Sequence, residues 1–480
     1  MPMLFSAINW GMVAVIVMKF GGTSVGSAES IRNVIEIVKA SLGRNPFVIV
    51  SAVSGVTDML LAAAQRALDR KSSVRFIVKD VEEKHRPVIE ALGLDAGIVS
   101  EELAELEHVL FGISLIRELT ARTTDYVVSF GERISSKIVA AFARKAGINA
   151  EAFNAYDLGM VTDANFGNAE ILPATYEAIA AAVKGIPAGV IPIITGFVGK
   201  TAEGEVTTLG RGGSDYTAAI YGAALNAEEI QVWTDVDGVM TADPKIVPDA
   251  RTVDVVSFEE ASELAYFGAK VLHPKTILPA MNKGIPVRVL NTFNPSGKGT
   301  LILKDVGKGK RNDVTAITCK KNIFVINISS ARMLLAYGFL HHVFKLFDEF
   351  NVPVDLIATS EVNVSVTVER KFDISELVER LREFADVAVL SDRASISVVG
   401  NGIRSTPGIG GRLFSTLGKS GVNVEMTSQS YSDVNESIVI KEERLDEAVR
   451  ALHDEFFGAE TVQAPITAAT VKVKSGRLRA

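Results

Sequence analysis

The 480-residue sequence predicts an α/β protein, a mostly parallel sheet sandwiched by helices, followed by two small α+β units of βαββ order. Three observations carry that prediction. Between residues 13 and 301, short Val/Ile-rich runs alternate with amphipathic helical patterns. Residues 294–314, "NPSGKGTLILKDVGKGKRNDV", are rich in Gly and Lys and carry little apolar period, which marks a boundary. Beyond it a strand–helix–strand–strand order occurs twice. The expected domains are residues 1–305, 315–390 and 391–480.

In chain order, the first strand is "VAVIV" (13–17), followed by a helix with Ile31, Ile35, Val38 and Leu42 on one face. The runs "PFVIV", "YVVSF", "VIPIITG", "EIQVWT" and "IPVRVL" then read as further strands. Runs apolar on both faces and separated by helices belong to a parallel sheet covered on both sides, and ligands of such sheets sit beyond the carboxyl ends of the strands. In the second part, Asn351-Val352-Pro353-Val354-Asp355 matches Gly421-Val422-Asn423-Val424-Glu425, and Val343-Phe344 matches Leu413-Phe414, both at an offset of 70 residues. Two copies of this size fit a pair of ligand-sensing modules. "TAATVKVKS" (467–475) reads as one further strand closing one of them.

Composition narrows the function classes. The hydrophobic share is 48%, the charged share 22% and the net charge −7, with Lys and Arg spread along the chain. That pattern gives no nucleic-acid surface and no polybasic membrane surface. One cysteine, Cys319, permits no internal disulfide, and the cytoplasm is the expected compartment. The first eighteen residues are apolar but lack a basic n-region and a small-residue cleavage site. Residues before Met12 are a short extension or precede the true start.

The first chemical motif, "KFGGTSVGS", places Lys19 before Gly21 and Gly22, the reverse of a Walker loop. A strand end, a glycine pair and a helix beginning near Ser27 would still aim backbone N–H groups at an anion, with Lys19 adding a point charge. In "VSAVSGVTDML", Ser51, Ser54 and Thr57 read as the N-cap cluster of a helix starting near residue 57 or 58, or as donors to a carboxylate or phosphate. "SFGERIS" puts Glu132 in the first turn of a helix, where it complements the dipole or reads an ammonium. "TTLGRGGSDYTA" sets Arg211 among three glycines before a helix capped by Ser214 or Asp215, a carboxylate or phosphate clamp. "TDVDGVMTADP" ends a strand with Thr234 and Asp235 in a loop suited to a nucleotide; it lacks the later ligands of a calcium loop. In "FGAKVLHP", Lys270 is placed to reach a nucleotide, whereas His273 has no paired acid. Gly400 and Gly402 lack the third glycine of a dinucleotide fingerprint, and no catalytic triad or zinc spacing is present.

These six motifs, in this order, resemble the aspartate kinases of the amino acid kinase fold, and the repeat resembles their paired regulatory ACT domains. The resemblance spans nearly the whole chain from Met12. It implies transfer of the γ-phosphoryl group of ATP to the β-carboxylate of L-aspartate, giving 4-phospho-L-aspartate on the way to lysine, threonine and methionine. It further implies a catalytic set of Lys19, Gly21, Gly22, Arg211 and Asp215, and aspartate contacts from Ser51, Thr57, Glu132, Arg211 and Ser214. The ATP site would take Lys19, Gly22, Thr234, Asp235, Met240, Lys245 and Lys270. Met240 and Lys245 stand where relatives often carry Tyr and Arg. Mg²⁺ would accompany ATP, and no residue is assigned as a metal ligand. Met333, Gly338, Phe339, Leu340, Asp355, Thr359 and Ser360 match the effector-binding part of lysine-sensitive relatives, which implies lysine or threonine as effector and a homodimer or larger oligomer. The rivals are another kinase of this fold, such as glutamate 5-kinase, and a non-catalytic amino-acid sensor.

Overall fold

The computed structural model describes residues 14–458, apart from 71–72, 269–271, 273, 305, 307–312, 331–336, 404 and 430–433. Strands β1 (Ile16–Phe20) and β2 (Pro46–Val50) are buried at every position. Their apolar runs serve two cores at once, because successive side chains point to opposite faces. Ile16, Met18, Phe20, Val48 and Val50 enter one core; Val15, Val17, Phe47 and Ile49 enter the other.

Around them stand β3 (Ala150–Phe153), β4 (Ile191–Thr195), a separate antiparallel hairpin of β5 (Val198–Lys200) and β6 (Val206–Thr208), then β7 (Glu229–Thr234), β8 (Val255–Ser257), β9 (Val287–Asn291) and β10 (Thr300–Leu303). The main sheet runs β3-β4-β2-β1-β7-β9-β10-β8, parallel except between β9 and β10. One face is covered by α1 (Ala28–Ala40), α2 (Val56–Leu68), α3 (Val74–Ala91), α4 (Ser100–Ile116) and α5 (Ala121–Lys145). The other is covered by α6 (Thr175–Ala182), α7 (Gly213–Leu225), α8 (Phe258–Tyr266) and α9 (Pro274–Lys283).

Three local readings change. "YVVSF" is not a strand: it lies within the 25-residue α5, capped by Thr120, which accepts from Thr123 N. The helix is buried on much of its circumference, so its apolar run has no period that separates it from a buried strand. Glu132 therefore sits in mid-helix, away from the dipole's positive end. α2 begins after Gly55, with φ of 81°, rather than after a capping hydroxyl. Likewise α7 begins after Gly212, which puts Ser214 and Asp215 in its first turn.

The second part forms a six-stranded antiparallel sheet, β12-β13-β11-β14-β16-β15. Its strands are β11 (Ala316–Ser329), β12 (Ile357–Thr359), β13 (Asn363–Glu369), β14 (Asp386–Val399), β15 (Met426–Ser428) and β16 (Asn435–Lys441). The helices are α10 (Phe339–Glu349), α11 (Ser375–Arg382), α12 (Ile409–Lys419) and α13 (Leu445–Phe457). The 70-residue offset holds in three dimensions: α10 and α12 start after Gly338 and Gly408, both in the left-handed region. Each copy has its own core. The long strands are shared, since residues 323–329 of β11 pair with β13 in the first copy, while residues 316–320 pair with residues 395–399 in the second. β14 runs unbroken across residues 390 and 391. The stretch 467–475, read as a closing strand, lies outside the described residues.

The two parts interlock through the loop after β7. Ala242, Ile246 and Val247 are buried in the core of the second copy with Leu413, Leu452 and Phe456. Arg450 Nε donates to Ile246 O at 2.8 Å, and Thr241 Oγ1 lies 3.0 Å from His453 Nε2. Ile246→Ala should destabilise the unliganded protein by about 2–5 kcal/mol, the usual range for such a truncation. The expected readout is a lowered midpoint in scanning calorimetry, and an unchanged midpoint would show that the loop does not belong to that core.

Candidate functional site

The carboxyl ends of β1, β2, β4, β7 and β9 meet at one edge of the main sheet. Lys19 is the penultimate residue of β1 and shares the parity of Val15 and Val17, so its side chain emerges on the α7 side. There its Nζ lies 2.6 Å from Asp215 Oδ1, in the first turn of α7, with both side chains largely shielded from water. Gly21 N donates to Trp233 O at 3.1 Å, tying the loop to β7. A Cβ on Gly21 would lie 3.6 Å from Lys19 Nζ, so the ammonium overhangs the glycine loop. At Gly22 a Cβ would come within 2.8 Å of Ala52 O, a backbone atom that cannot swing aside. Ser27 caps α1 as expected, accepting from Ser30 N.

Ala52 joins this anion seat to an acid. Its N–H donates to Glu132 Oε1 at 3.0 Å, while Glu132 Oε2 is buried with no hydrogen-bond partner among the described residues. Burial pushes the Glu132 carboxyl up to about 8, against the smaller downward pull of the Ala52 N–H. Such a group becomes a carboxylate readily only when a cation arrives beside it. Ser51, at the end of β2, donates its N–H to Phe20 O, and Thr57 stands half-buried in the first turn of α2. Ser214 is buried against the β4 end, where a Cβ on Gly196 would lie 2.6 Å from Ser214 Oγ. Arg211 is exposed in the loop before α7 and pairs with no carboxylate among the described residues. A caged lysine, a buried acid awaiting a cation and a free guanidinium together suit a phosphate beside a small zwitterion carrying a second carboxylate.

On the β7 side, Thr234 Oγ1 donates to Asp235 Oδ1 at 3.1 Å, and Asp235 is exposed. Met240 is half-buried with its sulfur 3.5 Å from Thr252 Oγ1; Lys245 is exposed, its N–H donating to Asp243 Oδ1 at 2.9 Å. Lys270 lies outside the described residues. Asp237, legible in the sequence only as a turn residue beside Gly238, accepts from the amides of Asn291 and Asn294 at 2.9 and 3.1 Å and so braces this loop against the end of β9. Sequence reading passed over Phe197, held at φ of 69° after β4, a conformation that composition does not betray.

The remaining candidates stand apart, in the first repeat copy. Gly338, Phe339 and Leu340 open α10; the Phe339 ring packs 5.8 Å from that of Phe384, and Leu340 is exposed. Thr359 and Ser360 lie exposed at the end of β12. Asp355 is paired with Lys320 Nζ at 2.9 Å, which also contacts Glu369 at 3.3 Å and lies 5.0 Å over the Tyr266 ring. Met333 is outside the described residues.

Residues 14–291 match the amino acid kinase family, and residues 396–456 match the ACT domain. Aspartokinase 2, chloroplastic, of Arabidopsis thaliana is 40% identical over 458 residues, covering 92% of this chain and 84% of that protein. E. coli aspartokinase III in complex with aspartate and ADP (R-state) superposes with a TM-score of 0.77 at 30% identity, covering 92% of this chain and 100% of that one. The same protein in complex with lysine and aspartate (T-state) gives 0.78 at 31% identity, covering 92% and 99%.

Gly22→Ala tests the anion seat. Its Cβ must push the loop away from Ala52, and ATP affinity by calorimetric titration is expected to fall by about tenfold or more, since misplacement on the ångström scale is that costly. Unchanged affinity would remove the glycine loop from the site.

Proposed function

The chain belongs to the aspartokinase family and is an ATP-dependent kinase of L-aspartate, and from that premise we propose how its residues divide the work. The acceptor is the β-carboxylate, already an anion, so no general base is needed. One of its oxygens bonds to the γ-phosphorus as the bond to the β,γ-bridging oxygen breaks, and ADP and 4-phospho-L-aspartate leave. What remains for the protein is to bring two anions together and to stabilise the charge spreading over the transferring group. Lys19 supplies that charge over the Gly21–Gly22 loop, and Asp215 keeps it aimed. Glu132 takes the ammonium of aspartate, with Ser51, Thr57 and Ser214 around it, and Arg211 clamps a carboxylate. Thr234, Asp235, Met240, Lys245 and Lys270 are assigned to the nucleotide.

The observation that carries this reading is the meeting of opposite seats at one residue: Ala52 abuts Gly22 through its carbonyl and holds Glu132 through its N–H. Among the described residues no group of three or more His, Cys, Asp or Glu side chains is placed to cage a metal, and Asp215 is already paired with Lys19. Mg²⁺ is accordingly assigned to the phosphates of ATP, where it needs few protein ligands and neutralises charge.

For regulation we propose lysine as the effector, with threonine as the alternative, acting at the first ACT copy. The pairing of Lys320 with Asp355 supports this, because it places a lysine ammonium on one of the assigned effector residues. Exposed Tyr337 and Leu340 at the start of α10, and exposed Ile357 and Val362 on and just after the edge strand β12, support a homodimer or larger assembly through that copy. Inhibition curves with lysine, threonine and both should show lysine acting at the lower concentration; inhibition by threonine alone would reverse the assignment.

Two further outcomes test the catalytic reading. Arg211→Ala removes a charge-assisted contact of about 1.5–3 kcal/mol, so KM for aspartate should rise about tenfold to a hundredfold while KM for ATP holds. A hydroxylamine trap should then yield hydroxamate from aspartate and not from glutamate. Glu132 sets a pH dependence. With its carboxyl near 8 in the free enzyme, the ionised fraction that an ammonium requires grows with pH, so KM for aspartate should fall between pH 6.5 and 8.5. Glu132→Gln should weaken aspartate binding and flatten that slope, and a slope that survives the substitution assigns it to another group.

A further inference from the structure

Helix α5 carries a second buried carboxylate, Asp125, seven residues before Glu132 and therefore two turns away on the same face. The mechanism above gives Asp125 nothing to do, yet it is 2% exposed and fully engaged. Its Oδ2 accepts from Gly167 N and Thr208 N, each at 2.8 Å, and its Oδ1 accepts from Thr208 Oγ1 at 2.8 Å. No cation partners it among the described residues, and burial raises its carboxyl while these donors pull it down.

The groups it holds lead to Arg211. Thr208 ends β6, three residues before Arg211, and its carbonyl accepts from Ala169 N at 2.8 Å. Residues 165–169 are closed into a turn by Asn168 N to Asn165 O at 3.1 Å and by Asn165 Nδ2 to Asn168 O at 3.0 Å. That turn underlies the arginine loop: Gly210 has φ of 73°, and a Cβ there would lie 2.6 Å from Asn168 Oδ1. One carboxylate thus fastens both the strand that enters the arginine loop and the turn on which the loop rests.

We propose that Asp125 is a positioning residue for the phosphoryl acceptor, setting the place of Arg211 without touching substrate, so that α5 orients both ends of bound aspartate, the ammonium through Glu132 and a carboxylate through Asp125 and Arg211. The inference rests on the assignment of Arg211 to the acceptor. Steady-state kinetics with ATP and aspartate on Asp125→Ala, Asp125→Asn, Thr208→Val, Arg211→Ala and the Asp125→Ala/Arg211→Ala double variant test it. Asp125→Ala should raise KM for aspartate about tenfold, as displacement of a positioning group does, with KM for ATP changed less than about twofold. Thr208→Val, which removes one of the three contacts at constant shape, should move KM for aspartate in the same direction by less. Asp125→Asn should restore it, since the amide oxygen can accept both N–H groups while its NH₂ donates to Thr208 Oγ1. The double variant should be no worse than Arg211→Ala. Equal loss of both KM values, or effects that multiply in the double variant, would overturn the proposal. If Asp125→Ala does not fold, Thr208→Val decides it, and an unchanged KM for aspartate there overturns it. Unchanged KM for aspartate in Arg211→Ala would overturn the acceptor reading itself and this inference with it; a rise confined to Arg211→Ala overturns only the role of Asp125.

Discussion

A buried carboxyl group with one oxygen unpartnered is the constraint from which the catalytic edge follows. Glu132 spends one oxygen on Ala52 N and leaves the other without a donor among the described residues. A charge in that position without a partner costs several kcal/mol, so the free enzyme avoids it by keeping the proton. The ionised form of Glu132 is favoured only when a cation completes the site. The geometric consequences spread from Ala52, whose carbonyl crowds Gly22 so closely that a side chain there is excluded. Gly22 and Glu132 therefore cannot be moved independently, which suits the proposed division of labour, in which the ammonium fixes the acceptor while Lys19 screens the repulsion between carboxylate and phosphate.

Asp215 has the complementary task. A lysine at the end of a buried strand would otherwise lose solvation with nothing in return, and the carboxylate 2.6 Å away restores a partner before nucleotide arrives. The order lysine-then-glycines follows from the same geometry. The charge comes from the strand and the backbone donors from the loop after it, whereas a Walker loop draws its lysine from the helix that follows.

Much of this was legible in the residues, for reasons that also mark where legibility ends. Runs such as "PFVIV" and "EIQVWT" are buried on both faces and became strands at those positions. The repeat survived because small residues at fixed offsets, Gly338 and Gly408, start equivalent helices. "YVVSF" failed since a helix buried on most sides has no polar stripe to reveal its period. Asp125 was invisible for a different reason: its partners are 42 and 83 residues away, and a lone aspartate in a helix carries no local sign of a long-range contact. The sharing of β11 and β14 between the copies also escapes a repeat search, which detects that two segments are alike but not that each borrows a strand portion from the other.

That sharing bears on how an effector signal could reach the nucleotide. Helix α8 is tied at its start to the second copy, where the buried carboxylate of Glu260 accepts from Thr315 Oγ1 at 2.6 Å and from Asn401 N at 3.1 Å. At its end Tyr266 donates to Val354 O in the first copy at 3.3 Å, beside the Lys320–Asp355 pair. A change in the angle between the copies must therefore be taken up by α8 or by the long strands that both copies share. The strands enter the second copy's core, which contains Ile246 and Val247 from the loop assigned to ATP, and α8 packs through Leu264 against Val239 of the same loop. If Asp355 takes the effector and this loop takes ATP, as proposed, a ligand at Asp355 bears on the nucleotide loop through this set of contacts.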